Sequence, residues 1–147
     1  AGVSTAIETS GYASEARIRE LMPVTDLWLY DIKGMDAAKH KEHVGVDNAA
    51  ILRNLRWLDA HGAKTLLRCP MIPGINDFAE NLAALGKLAD ELKGVSEVDV
   101  EPYVPYGIDK AHKLGLKVYE APRPPDEYGP SIVRKLSSLT TKKVVLV

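Results

Sequence analysis

The chain has 147 residues, 46% hydrophobic and 27% charged, with a formal net charge of −1. That is the size and composition of one ordinary globular domain, and the charge gives no electrostatic basis for binding nucleic acid or an anionic membrane surface. No apolar run approaches the length of a bilayer-spanning helix, and no basic, then apolar leader is read at the start, so a cytoplasmic setting is expected. The single cysteine, Cys69, excludes a disulfide framework within the chain, as suits a reducing compartment. It lies in an apolar run where burial is expected, and one thiolate cannot hold a four-iron cluster.

Strand and helix patterns alternate along the chain. Residues 3–9 form an apolar run ending in Glu-Thr-Ser-Gly, and 14–22 follow as a short helix with Ile18, Leu21 and Met22 on one side. Residues 26–33, Asp-Leu-Trp-Leu-Tyr-Asp-Ile-Lys, read as a second strand. A short helix or turn over 36–43 closes at Gly45. Residues 48–61 form the clearest helix, with Ile51, Leu52, Leu55 and Leu58 on one face, Asp47 or Asn48 as cap, and Gly62 just beyond. A third strand over 64–71 breaks at Pro70, Pro73 and Gly74. Residues 78–92 form another helix, where Asp77 and Glu80 resemble a capping box, and 95–103 a fourth strand. The proline-rich stretch 104–128 has no sustained period and reads as a long loop. A last helix over 130–139 and a short strand over 143–147 complete the chain. Strands joined through helices run parallel, so an α/β fold is expected: part of a TIM-like barrel, or less favourably an open sheet.

In parallel α/β folds, ligand chemistry sits at the carboxyl ends of the strands. Here those ends carry Glu8-Thr9, Asp31 and Lys33, Arg68, and Glu101-Pro102-Tyr103. Alternation puts Leu27, Leu29, Asp31 and Lys33 on one face, with an acid and a base at the rim. Such a ring suits a small anionic or zwitterionic ligand, and carboxylate, threonine and carbonyl oxygens also suit a hard cation. Asp31 and Lys33 could equally be a plain rim ion pair. Glu97, Asp99 and Glu101 alternate with valines and read as one wet strand face. His40, His43, His61 and His112 show no metal-ligand spacing and are expected at the surface. Phosphate-loop, dinucleotide and nucleophile-elbow motifs are all lacking.

Taken in order, several of these blocks resemble the radical S-adenosylmethionine (SAM) activating enzymes of glycyl-radical proteins. The blocks are Glu8-Thr9-Ser10-Gly11-Tyr12, then Leu29-Tyr30-Asp31-Ile32-Lys33 with Asp36, His40 and Val44-Gly45-Val46-x-Asn48, then Arg68 to Asp77, then Pro102-Tyr103. The resemblance implies one domain over 1–147, the later units of a six-unit βα barrel. It also implies cleavage of SAM at a reduced 4Fe-4S cluster, and a 5′-deoxyadenosyl radical that takes a hydrogen atom from a partner's backbone glycine. By position, Lys33 and Arg68 match residues contacting SAM. Glu8, Thr9, Asp31 and the Leu29 carbonyl match a mono- or divalent cation group beside it, with Thr9 and Asp31 also counted to the SAM site. The implied partners are a glycyl-radical enzyme such as pyruvate formate-lyase, and an electron donor such as flavodoxin or ferredoxin. Two departures stand out. Val104 occupies the place of a family histidine near SAM. The Cys-x-x-x-Cys-x-x-Cys loop and Gly-Gly-Glu strand belong upstream of Ala1, so the cluster is expected only in an intact parent and this chain alone is expected to be inactive. The competing readings are an aldolase-type lyase with Lys33 as Schiff-base nucleophile, and a non-catalytic docking module for a glycyl-radical enzyme.

Overall fold

A computed structural model describes residues 2–106, 108–116 and 122–147. The elements run in the expected alternation. Strand β1 (Ala6–Thr9) leads through helix α1 (Glu15–Leu21) and the 3-10 turn Met22–Val24 to β2 (Leu27–Asp31). Helices α2 (Ala37–Val44) and α3 (Ala49–Ala60) connect to β3 (Thr65–Met71), and α4 (Ala79–Glu91) to β4 (Val95–Pro102). Then come α5 (Ile108–Lys113), α6 (Tyr128–Ser137) and β5 (Lys143–Leu146).

All neighbouring strands pair parallel in the order β1-β2-β3-β4-β5. A sequential order has no point at which the winding reverses, which separates a barrel wall from a doubly wound sheet. Burial agrees. Trp28, Tyr30, Leu67, Cys69, Met71, Val98 and Val100 alternate onto one face and pack in a single core with Leu55 and Leu58 of α3, Leu85 and Leu88 of α4, and Ile132 and Leu136 of α6. The opposite face carries Leu29, Asp31, Leu66, Arg68, Pro70, Glu97 and Glu101, all half-buried. One helix-covered face and one polar face is the layering of a partial α/β barrel.

Local signals explain the boundaries. Ser14 caps α1 by accepting from Arg17 N, and Asp36 caps α2 by accepting from Lys39 N at 2.8 Å. Gly62 ends α3 at φ 81°, the left-handed position expected for it.

The structure corrects four expectations and decides a fifth that offered two alternatives. The stretch 104–128 holds a helix, α5, besides its loops; residue 107 and residues 117–121 lie outside the described part. Asp77 forms no capping box: its Oδ1 accepts from Gly74 N at 2.8 Å and its Oδ2 from the Tyr128 hydroxyl at 3.2 Å, while Phe78 is the N-cap. Asp47, not Asn48, accepts from the first turn of α3, at Ala49 N. His40 is buried at 4% exposure, its Nδ1 2.6 Å from the Val46 carbonyl oxygen. Glu97, Asp99 and Glu101 are not a wet face: Asp99 is buried, and the other two form ion pairs on the inner wall.

Candidate functional site

The inner face gathers its charged side chains at the carboxyl ends of the strands. Register fixes the arrangement: Asp31 of β2 lies opposite Arg68 of β3, and Arg68 opposite Asp99 of β4. Glu8 of β1 lies opposite Leu29 of β2, so it shares that face. Arg68 spans the wall. Its Nε donates to Glu101 Oε1 at 2.5 Å, its Nη2 meets the same oxygen, and its Nη1 reaches Glu8 Oε1 at 2.7 Å. One guanidinium thus ties β1 to β4 above the apolar Leu29.

Lys33 follows β2 on the same alternation, its Nζ 3.7 Å from Asp31 Oδ2. That is an ion pair without a hydrogen bond. Burial pushes the Asp31 carboxyl above the usual range, Lys33 and then Arg68 pull it back, and Glu101 and Glu8 add repulsion. Thr9 points to the other side of β1 by alternation, and its Oγ1 accepts from Gly11 N at 2.9 Å. The structure therefore brings Glu8, Asp31, Lys33 and Arg68 to one end and one face, with Thr9 at the same strand end.

Two openings adjoin this group. A cavity of about 740 Å³ is lined by Leu29, Arg68, Asp99, Glu101, Tyr103 and Val147 among others. A smaller one of about 280 Å³ is lined by Ser10, Tyr12, Asp31, Lys33 and His40 among others. Among the described residues, no group of three or more His, Cys, Asp or Glu side chains could hold a metal ion by those ligands alone. Cys69 is fully buried on the helix-facing side of β3, its thiol pushed upward by burial and then by Asp99.

Sequence reasoning missed the groups that position this rim. Asn76 Nδ2 donates to the carbonyls of Lys33 at 2.9 Å and Pro70 at 2.7 Å, while its Oδ1 accepts from Ile72 N at 2.8 Å. Asn48 donates to the carbonyls of Gly34 and Met35, and Asn81 accepts from Met35 N. Asn54 donates to the carbonyls of Gly11 and Ala13, both at 2.9 Å. The available signal was asparagine directly after Pro-Gly-Ile, and asparagines on helix faces otherwise apolar.

A parallel, sequentially wound wall with polar groups at its carboxyl ends defines the class: a ligand-binding portion of an α/β barrel. No family model matches the chain. The isethionate sulfite-lyase activating enzyme of Nitratidesulfovibrio vulgaris is 46% identical over 114 residues, covering 76% of this chain and 36% of that protein. The trans-4-hydroxy-L-proline dehydratase activating enzyme of Clostridioides difficile is 36% identical over 148 residues, covering 96% of this chain and 48% of that protein. The crystal structure of a domain of pyruvate-formate lyase-activating enzyme from Bacteroides vulgatus superposes with a TM-score of 0.78 at 23% identity, over 99% of this chain and 82% of that one. The chain belongs to the family of glycyl-radical-enzyme activating enzymes. It spans less than half the length of the two curated relatives.

Proposed function

We propose that this chain supplies the later strand–helix units of a radical SAM activating enzyme that installs a glycyl radical on a partner enzyme. Lys33, Arg68 and Asp31 are assigned to the SAM site, and Glu8, Asp31 and the Leu29 carbonyl to a mono- or divalent cation beside it; Thr9, expected in both, ends β1 beside them with its hydroxyl turned to the other side and held by Gly11 N. The observation that carries this reading is the convergence of Glu8, Asp31, Lys33 and Arg68 on one inner rim. The partner is a glycyl-radical enzyme, of which pyruvate formate-lyase is one candidate, with flavodoxin or ferredoxin as electron donor in the cytoplasm.

The rim suits the amino-acid part of SAM. Lys33 is 41% exposed and holds Asp31 only at long range, so its ammonium has donors to offer a ligand carboxylate. Arg68 is engaged twice, and a ligand carboxylate replaces one glutamate like for like. A cation beside Asp31 offsets the burial and repulsion that raise its carboxyl, as Lys33 and Arg68 already do in part. SAM bound there would supply, after one-electron reduction and loss of methionine, the 5′-deoxyadenosyl radical that takes the glycine hydrogen atom. The residues present do not fit a 4Fe-4S cluster, since the one thiol is sealed in the helix-facing core. The cluster is therefore assigned to the part of a full-length enzyme outside this chain. An aldolase-type role is not supported, because Lys33 lacks the water-excluded surroundings a Schiff-base lysine needs.

The test is titration calorimetry of SAM into the full-length, cluster-loaded protein carrying this chain. Asp31→Ala and Lys33→Ala are each expected to weaken binding about tenfold or more, the effect of losing a charge-assisted contact. Unchanged affinity in both variants overturns the assignment.

A further inference from the structure

One buried histidine has no part in the site just described. His40 of α2 is 4% exposed and lines both the opening of about 280 Å³ beside Asp31 and a cavity of about 20 Å³ next to it. Its Nδ1 stands 2.6 Å from the Val46 carbonyl oxygen. A carbonyl only accepts, so in the neutral ring Nδ1 carries the proton and Nε2 is an acceptor. Among the described residues Nε2 meets no donor, yet it is not one of the unpartnered side-chain atoms sealed inside the fold. It therefore opens onto one of these two spaces. An acceptor this deeply buried with nothing to accept is costly to keep.

Lys33 has the complementary deficit. Its Nζ is 3.7 Å from Asp31 Oδ2, beyond hydrogen-bond reach, and it makes no hydrogen bond among the described residues. An ammonium has three N–H groups to place. Lys33, His40 and Val44 line both openings, so the donor and the acceptor face the same two spaces. Rival donors around the smaller cavity are spent. Asn76 and Asn81 donate to backbone carbonyls, and the Lys39 ammonium lies 3.7 Å over the Phe78 ring. A space of that volume admits a single water at most.

We propose that His40 is a positioning residue for Lys33: its Nε2 accepts one ammonium N–H, directly or through one water in the smaller cavity. The other two N–H groups are then turned toward Asp31 and a ligand carboxylate. This rests on the SAM reading above. Asn76 holds Lys33 only at its backbone carbonyl, and the flexible four-carbon stem beyond is 41% exposed. Anchoring the ammonium before the ligand arrives removes rotamer freedom that binding would otherwise have to remove. The Nδ1 bond to Val46 fixes the ring so that Nε2 is presented in one direction. In this arrangement His40 acts on the ligand through Lys33 and does not touch it.

The experiment compares S-adenosyl-L-homocysteine with its decarboxylated analogue, which keeps the amine and the nucleoside, by calorimetry on the full-length, cluster-loaded protein. His40→Asn keeps a donor for Val46 and lacks the atom at the Nε2 place. It should weaken the carboxylate-bearing ligand about fivefold or more, the ratio for one hydrogen bond, and the decarboxylated analogue less than about twofold. His40→Gln, whose amide oxygen reaches the Nε2 place, should bind S-adenosyl-L-homocysteine within about threefold of wild type. In a Lys33→Met background, His40→Asn should change that affinity less than about twofold. Equal weakening of both ligands, as a purely structural role would produce, overturns the inference and leaves the SAM site standing. So does unchanged binding in His40→Asn, a glutamine variant as weak as the asparagine one, or an undiminished effect without Lys33. Failure of S-adenosyl-L-homocysteine to bind wild type at all removes the SAM reading itself.

Discussion

Asn76 holds Lys33 in place: its carboxamide donates to the Lys33 carbonyl at 2.9 Å and to the Pro70 carbonyl at 2.7 Å. The end of β2, which presents the candidate lysine, is thereby tied to the end of β3. Both ends of the amide are in use, because Oδ1 accepts from Ile72 N. Asn76→Ala leaves one donor and two acceptors without partners in a site only 6% exposed. The expected loss is about 2–4 kcal/mol of unfolding free energy in denaturant titrations. Ligand affinity should fall as well, since Lys33 loses its support. A loss under about 0.5 kcal/mol would show that water replaces the amide at no cost.

Gly11 makes a second sharp test. It adopts φ 68°, and a Cβ there would sit 1.7 Å from the Tyr30 hydroxyl oxygen. That hydroxyl is buried and donates to the Ile51 carbonyl at 2.7 Å. Gly11→Ala therefore combines left-handed backbone strain with a collision in the core, and about 3 kcal/mol or more should be lost. Tyr30→Phe removes only the hydroxyl and should cost about 1 kcal/mol. In the double variant most of the alanine penalty should persist, because the ring Cζ, 2.1 Å from the Cβ position, stays in place. A penalty that vanishes with the hydroxyl would show that the oxygen alone is the obstacle.

The strands and long helices were legible because their apolar spacing is the same physical fact in sequence and in space. Trp28, Tyr30, Leu67 and Cys69 alternate because one side of the sheet meets helices. The inner wall was only half legible. Glu97, Asp99 and Glu101 between valines make the same pattern whether the polar face meets water or a barrel interior, and only the wrapped wall with Arg68 and Lys143 beside it decides. Asp77 has the spacing of a cap, yet Gly74 N and the Tyr128 hydroxyl, 51 residues away, compete for it. The asparagines that pin residues 33–35 act on backbone groups far along the chain, which no local pattern announces.

Asp99 also predicts a pH dependence of stability. Its folded carboxyl titrates above the ordinary aspartate range, chiefly through burial and next through Glu97. A raised acid contributes stability that is fully present below its unfolded value, about 4, and is lost as pH rises through the folded value. Asp99→Asn has no such loss. The melting temperature of Asp99→Asn relative to wild type should therefore climb as pH goes from about 4 toward neutrality, and the two should differ least at the acid end. A gap that is constant with pH would show that Asp99 is ionised in the fold as freely as in the unfolded chain.

The bridge made by Arg68 sets two neighbouring residues in opposite roles toward the ligand. Arg68 reaches Glu8 and Glu101 together because its fork presents several N–H groups in fixed directions. Lysine cannot span both, so Arg68→Lys should lower SAM affinity about tenfold and cost about 1–2 kcal/mol of stability. Glu101 is the counter-charge that a ligand carboxylate must displace. Glu101→Gln keeps the shape and weakens the hold on Arg68, so SAM affinity should rise a few-fold while stability falls. Calorimetry on the two variants side by side reads the sign directly. If both substitutions weaken binding, Glu101 touches the ligand rather than competing with it, and the exchange of partners at Arg68 is wrong.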